Sequence, residues 1–135
     1  MTRVWGLLGA LGVCGAAAAD PCEGKLPSKA GTELSGAVRY IVDGDGLCVG
    51  ASSDPGTWIE VRTVDFDAPE LTAQEGKRAK AIMERGAMGK PVVCVTRPGH
   101  NGRTTSYDRV HASCQIGGVS LASLLKQADA PEGGR

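Results

Sequence analysis

Aromatic side chains are scarce in this chain: two Trp, two Tyr and one Phe among 135 residues. Past the first nineteen residues only Tyr40, Trp58, Phe66 and Tyr107 are available to stack on bases, too few for a dedicated reader of nucleic-acid sequence. Net charge is also missing, since fifteen Lys and Arg balance fifteen Asp and Glu. A balanced chain does not capture a polyanion by its overall field, so contact with phosphates falls to a local cluster such as Arg62, Arg97, Arg103 and Arg109. No C-x-x-C pair occurs among the cysteines, which weighs against structural zinc. The turn Asp43-Gly44-Asp45-Gly46 lacks the EF-hand spacing, which needs its glycine three positions beyond the second acid. No apolar stretch reaches the roughly 20 residues of a spanning helix.

The longest apolar run, Val4 to Ala19, follows Met1-Thr2-Arg3 and ends in Ala17-Ala18-Ala19-Asp20. A basic start, an apolar middle and an A-x-A end are the marks of an export signal, so residues 1–19 are expected to be cleaved and the chain to be secreted or periplasmic, without stable membrane association. Cys14 is preceded by Val13, where a lipoprotein signal wants a small residue. The four remaining cysteines form an even set in an exported chain and predict two disulfides. Alternation over Val110–Ile116 puts Cys114 on the apolar face, within reach of the apolar run that holds Cys94. That favours Cys94 with Cys114 and Cys22 with Cys48.

The length fits one domain. Residues 20–36 are polar, with Pro21, Pro27 and Gly31, and read as an irregular lead-in. Strands are predicted over 37–42, 47–50, 58–64, 92–95 and 107–116, with turn residues between them. In the third, Trp58, Glu60 and Arg62 alternate against Ile59, Val61 and Thr63. Thr72 to Glu75 has the spacing of a capping box and opens a helix that runs to about Met88. Residues 97–106 predict an exposed loop, and Ser120 caps a short helix bearing Leu121, Leu124 and Leu125. Residues 129–135 are expected to be a disordered tail. The order is that of a mainly β protein with helices: a five-stranded OB-fold barrel over 37–128, with the longer helix between strands 3 and 4 and a short C-terminal helix.

Five polar residues stand in short motifs along this frame: Asp45 in VDGDG, Arg62 in VR, Asp67 and Glu70 in DFDAPE, and Arg109 in SYDR. Taken singly, each has an ordinary reading. The acid-glycine turn suits a hairpin in which Gly relieves the steric cost of a positive φ, Asp65 to Glu70 suits a solvated loop, and an arginine on a strand suits a surface. Taken together they have the charge make-up of a divalent-metal phosphodiesterase: three carboxylates to hold a hard cation and orient a water, and two guanidiniums to neutralise a phosphoryl group under attack. Pro69 stiffens the loop between Asp67 and Glu70 and pushes Ala68 toward extended geometry.

The succession V-D-G-D, then R, then D-x-P-E, then a helix, then Y-x-R resembles the staphylococcal-nuclease-like (thermonuclease) family across roughly residues 37 to 128. The resemblance implies an OB-fold, calcium-dependent phosphodiesterase with one Ca2+ ion, acting on DNA or RNA with little sequence demand and leaving 3′-phosphorylated products. It implies Asp45 and Asp67 as carboxylate ligands with the Ala68 backbone carbonyl beside them. Glu70 becomes the water-orienting residue or general base, Arg62 and Arg109 the phosphate clamp, and Tyr107 a contact near the nucleotide's terminal phosphate. Gly46 stands where the family has Thr, Asp108 where it has Gly, and the family's C-terminal helix has no counterpart.

A monomer is expected, with nucleic acid as partner, and Glu60 is expected to be a neutral control for substitutions at Arg62 and Arg109. The competing expectation is a binding module: an OB barrel that keeps these residues but holds nucleotides, oligonucleotides or another protein without turnover. More remote is a disulfide-stabilised interaction protein whose acids are merely on the surface.

Overall fold

A computed structural model describes residues 20–133; the expected export signal at 1–19 lies outside the described residues. The strands are β1 (Glu33–Asp43), β2 (Gly46–Gly50), β3 (Ile59–Thr63), β4 (Pro91–Thr96), β5 (Thr105–Ser106), β6 (Arg109–Ile116) and β7 (Val119–Ser120). The helices are α1 (Gln74–Ala87) and α2 (Leu121–Gln127). Antiparallel pairing runs β3-β2-β1-β4-β6, and β3 pairs parallel with β6, which closes five strands into a barrel. The short β5 and β7 extend β6 outside it. This is the OB-type barrel that the strand order predicts, with α1 between the third and fourth barrel strands.

Closure leaves no free edge on the five barrel strands, and apolar side chains of alternate residues fill the inside. Val38, Ile41, Leu47, Val49, Val61, Val92, Val110 and Ala112 belong to one buried cluster with Ile82 and Met83 of α1 and Leu121 and Leu125 of α2. α1 buries Gly76, Ala79, Ile82, Met83 and Ala87, one face of a 3.6-residue repeat. Both predicted disulfides are formed, Cys22 with Cys48 and Cys94 with Cys114, as suits an oxidising compartment. Among the described residues no helix is long and apolar enough to cross a membrane.

Five local expectations are corrected. β1 starts at Glu33, inside the supposed irregular lead-in, because Glu33 to Ala37 pair with Val95 to Pro91 of β4; tertiary pairing overrides the weak strand propensity of Leu34-Ser35-Gly36. α1 is capped by Ala73 without a side-chain hydrogen bond, so Thr72 closes no capping box. Tyr107 belongs to no strand. It sits with Asp108 in the two-residue turn between β5 and β6, at φ 56° and 97% exposed.

The segment 129–133 is not a loose tail. Asp129 takes a positive φ at the end of α2, Ala130 is buried in the core, and the Gly133 amide donates to the Asp67 carbonyl at 2.8 Å. Gly44 does not relieve a positive φ. A Cβ there would come within 2.6 Å of both Ala68 and Ala79, so glycine is what lets the Asp43–Asp45 turn lie against the loop before α1 and against α1 itself.

Candidate functional site

The site grows from four places in the barrel. Asp43 and Gly46 pair across the turn that joins β1 to β2, with Asp45 between them. Arg62 is on β3 directly opposite Gly46 on one side and His111 on the other. Ala68 to Glu70 lie in the loop before α1, and Arg109 opens β6. A cleft of about 450 Å³ is lined by Asp43, Asp45, Arg62, Ala68, Pro69, Glu70, Ala73, Arg109 and Gly133. Four of the five polar residues singled out from sequence, Asp45, Arg62, Glu70 and Arg109, therefore face one hollow. The fifth, Asp67, touches it through Arg62.

Asp45 is only 6% exposed. Its Oδ2 accepts from the Ala68 amide at 2.7 Å, and its own amide donates to Asp43 Oδ1 at 3.1 Å. Burial, reinforced by Asp43 beside it, pushes its carboxyl up to about 7, with the Ala68 amide and Arg62 pulling the other way. Arg62 is held from several sides. Nη1 donates to the carbonyl of Thr63 at 2.6 Å and that of Phe66 at 3.3 Å, and lies 3.4 Å from Asp45 Oδ2; Nη2 donates to Asp67 Oδ1 at 2.8 Å. Thr63 Oγ1 also donates to the Phe66 carbonyl at 3.0 Å, tying the loop to β3.

Glu70 is exposed, and its backbone is fixed by α1. The Ala73 amide donates to the Glu70 carbonyl at 2.9 Å, and a Cβ on Gly76 would collide with that same carbonyl.

Asp45, Asp67 and the Ala68 carbonyl are hard oxygen donors, the set that suits Ca2+ or Mg2+. They fit such an ion on one condition. The Arg62 guanidinium now bridges the two carboxylates, so a cation between them requires Arg62 to swing toward a bound phosphate. Among the described residues, Asp45, Asp67 and Glu70 do not bring ligand atoms within 4.8 Å of one another as a trio. Asp45 and Asp67 would hold the ion, and Glu70 would act at the cleft without ligating it.

Tyr107 does not line this cleft. It lines a neighbouring hollow of about 290 Å³, shared with Arg62, Arg109, His100, Ser106 and His111. That hollow contains what the sequence left unread. His100 Nε2 lies 3.5 Å from Asp67 Oδ2. His111 shares a hydrogen bond of 2.9 Å with Ser106 Oγ and is held below the usual imidazole range by burial, then by the positive neighbours Arg62, Arg109 and His100. No motif flags either histidine; only the parallel pairing of β3 with β6 sets His111 opposite Arg62.

Glu60 is not the neutral surface residue expected from strand alternation. It is 3% exposed, with Oε2 3.8 Å from Arg109 Nε, and Asp108 Oδ1 lies 3.9 Å from the same nitrogen. Neither Glu60 Oε1 nor Arg109 Nε has a hydrogen-bond partner. Burial, then the Asp20 carboxyl beside it, then Asp108 push Glu60 up to about 8, against the pull of Arg109.

An acid raised in this way makes the folded state bind the extra proton between the ordinary value of 4.5 and about 8. Stability is then full below that window and falls by about 1.4 kcal/mol per pH unit as pH rises through it, the loss levelling off above the folded value. In chelator, the melting temperature of the wild type is expected to drop from pH 5 to 8, with Asp45, raised to about 7, contributing in the same sense, and Glu60→Gln to make that drop shallower by the share Glu60 carries. Equal slopes in the two proteins would show that Glu60 stays ionised.

No protein-family model matches this chain, and no curated protein sequence matches it.

Proposed function

We propose that this protein is a divalent-cation-dependent phosphodiesterase that hydrolyses DNA or RNA with little sequence preference outside the reducing cytoplasm. The observation that supports the reading is the convergence of two arginines, a buried aspartate and an exposed glutamate on one open cleft, from four separate segments of the chain. The resemblance to the staphylococcal-nuclease-like family supplies calcium and 3′-phosphorylated products as the specific form of the activity.

A phosphodiester is already negative and resists an incoming nucleophile, so the site has to neutralise charge and align a water. Asp45, Asp67 and the Ala68 carbonyl would hold a calcium ion, which would supply Lewis acidity toward a phosphoryl oxygen. Glu70, at the open side of the cleft, takes the proton of the attacking water or orients it. Arg62 and Arg109 donate to the phosphoryl oxygens, and their planar donor forks strengthen as charge accumulates there.

The test is digestion of labelled single-stranded DNA and RNA by the disulfide-bonded protein, in millimolar calcium and in chelator. Hydrolysis only with calcium, lowered about 100-fold or more in Glu70→Gln, is the expected result. Intact substrate under both conditions would reject the reading.

A second reading, an OB barrel that binds nucleotides or oligonucleotides without turnover, is favoured by one observation. Both guanidiniums already have acidic company, Arg62 with Asp45 and Asp67, Arg109 with Glu60 and Asp108. Oligonucleotide binding with no hydrolysis would select it.

A further inference from the structure

We infer that Asp20, Glu60 and Asp108 form a second divalent-cation site, separate from the cleft. One carboxylate oxygen from each of the three lies within 4.8 Å of the others. Two oxygens at the roughly 2.4 Å typical of calcium ligation stand at most about 4.8 Å apart, so each pair is within the span of one ion, and the exposed Asp108 side chain is free to rotate inward to complete the set. Clustered acids alone would mean little, but Glu60 adds an independent sign. It is only 3% exposed, and its Oε1 has no hydrogen-bond donor. A buried acceptor without a donor is costly, and a proton, a water or a cation would satisfy it. With all three acids ionised, three carboxylates against the single guanidinium of Arg109 leave a formal charge of two negative, or one once cleavage before Asp20 exposes its α-ammonium, which a divalent cation would offset.

The fold delivers the three ligands by different routes. Glu60 is fixed within β3, opposite Cys48 of β2. Cys22 is bonded to that same Cys48, so the disulfide brings Asp20 to the strand that carries Glu60. The Asp20 Oδ1 also accepts from the Cys22 amide at 3.2 Å. Asp108 comes from the exposed turn before β6. An ion here takes up the two acids nearest Arg109 and leaves that guanidinium free of them. That consequence matters for catalysis only under the phosphodiesterase reading; the site itself does not depend on it.

Titration of the chelator-stripped, disulfide-bonded protein with calcium chloride, followed through amide resonances, tests the inference. The amides of Cys22, which donates to Asp20, and of Glu60 and Asp108 are expected to shift along one saturating curve, with a dissociation constant of about 10⁻⁴–10⁻³ M as for sites of few ligands. Asp108→Asn, in an exposed turn that tolerates it, abolishes those shifts; Asp20→Asn does the same; Asp45→Asn leaves them in place.

Shifts confined to Gly44, Asp45 and Ala68 would overturn the inference while leaving the cleft its ion. So would shifts near Glu60 that vanish in Asp45→Asn, since they would report the cleft at a distance. Shifts at Cys22, Glu60 and Asp108 with none at the cleft uphold the second site and count against calcium in the proposed function. No calcium response anywhere overturns it, and the orphaned acceptor is then satisfied by a proton shared with Asp20.

Discussion

If the proposed phosphodiesterase activity holds, Arg62→Ala is expected to lower calcium-dependent cleavage of DNA by about 10³-fold or more, the range seen when an arginine that stabilises a phosphoryl transition state is removed. The same variant is expected to bind calcium more tightly than the wild type. The geometry gives both effects one cause. The guanidinium now occupies the space between Asp45 and Asp67, with Nη2 2.8 Å from Asp67 Oδ1 and Nη1 3.4 Å from Asp45 Oδ2. It therefore competes with any cation for those carboxylates, and the competition ends when the side chain is cut back. Ground-state binding of the ion improves, while stabilisation available only during attack on phosphorus is lost.

Arg62 also ties the loop before α1 to β3 through the Thr63 and Phe66 carbonyls, and its loss leaves Asp45 buried without a counter-ion. A lower melting temperature in chelator, restored by calcium, belongs to the same expectation. Rates must accordingly be compared per folded molecule. A variant that loses rate and calcium affinity together would show that Arg62 assembles the loop and does not clamp phosphate. Arg62→Lys keeps the charge without the planar fork, and an intermediate rate in that variant isolates the contribution of two parallel donors.

The parts of this molecule legible in its sequence are those fixed by short-range chemistry. Ile59 to Thr63 alternate as a strand, Ser120 caps α2 with its side chain accepting from the Ser123 amide, and the order of strands and helix is enough to name the barrel. The polar set around the cleft was readable because each member sits in a motif with its own turn or proline. What escaped reading depends on which segment lies over which. Alternation puts Glu60 on the polar side of β3, but it cannot say that the lead-in covers that side. The Gly24 amide donates to the Trp58 carbonyl at 2.8 Å, and a Cβ on Gly24 would sit 2.7 Å from that oxygen, so the lead-in lies flush along the start of β3 and closes Glu60 in.

The end of the chain makes the same point. Ala130 and Gly133 have no side chain that announces burial, yet one enters the core and the other seals the loop at Asp67 and Ala68. Tyr107 was misplaced for a different reason: a bulky residue at positive φ is uncommon, and only the hairpin register of β5 with β6, Ser106 opposite Arg109, forces the turn onto it.

Opening the Cys94–Cys114 disulfide by the double change to Ala is expected to lower the melting temperature by about 10–15 °C, among the largest stability effects anticipated outside the cleft. The two cysteines face each other directly across β4 and β6, and both are fully buried in the apolar cluster. They close a loop of sequence separation 20, and releasing such a loop returns about 3 kcal/mol of conformational entropy to the unfolded chain. That is a large share of the 5–15 kcal/mol by which domains of this size are held. Two lost sulfur atoms in a close-packed interior add a smaller cavity cost of the same sign. β4 and β6 remain bonded through their backbones from Val93 to Thr96, so the barrel is expected to refold cooperatively and the cleft to keep, at low temperature, the activity proposed for it. The Cys22–Cys48 bond, with separation 26, carries a similar entropic weight, but opening it also frees Asp20 from Glu60. Its removal is therefore expected to cost stability and the calcium response at Glu60 together, whereas the Cys94–Cys114 variant loses stability alone. A fall of less than about 4 °C for Cys94→Ala/Cys114→Ala would mean that strand pairing and core packing already confine this loop in the unfolded ensemble.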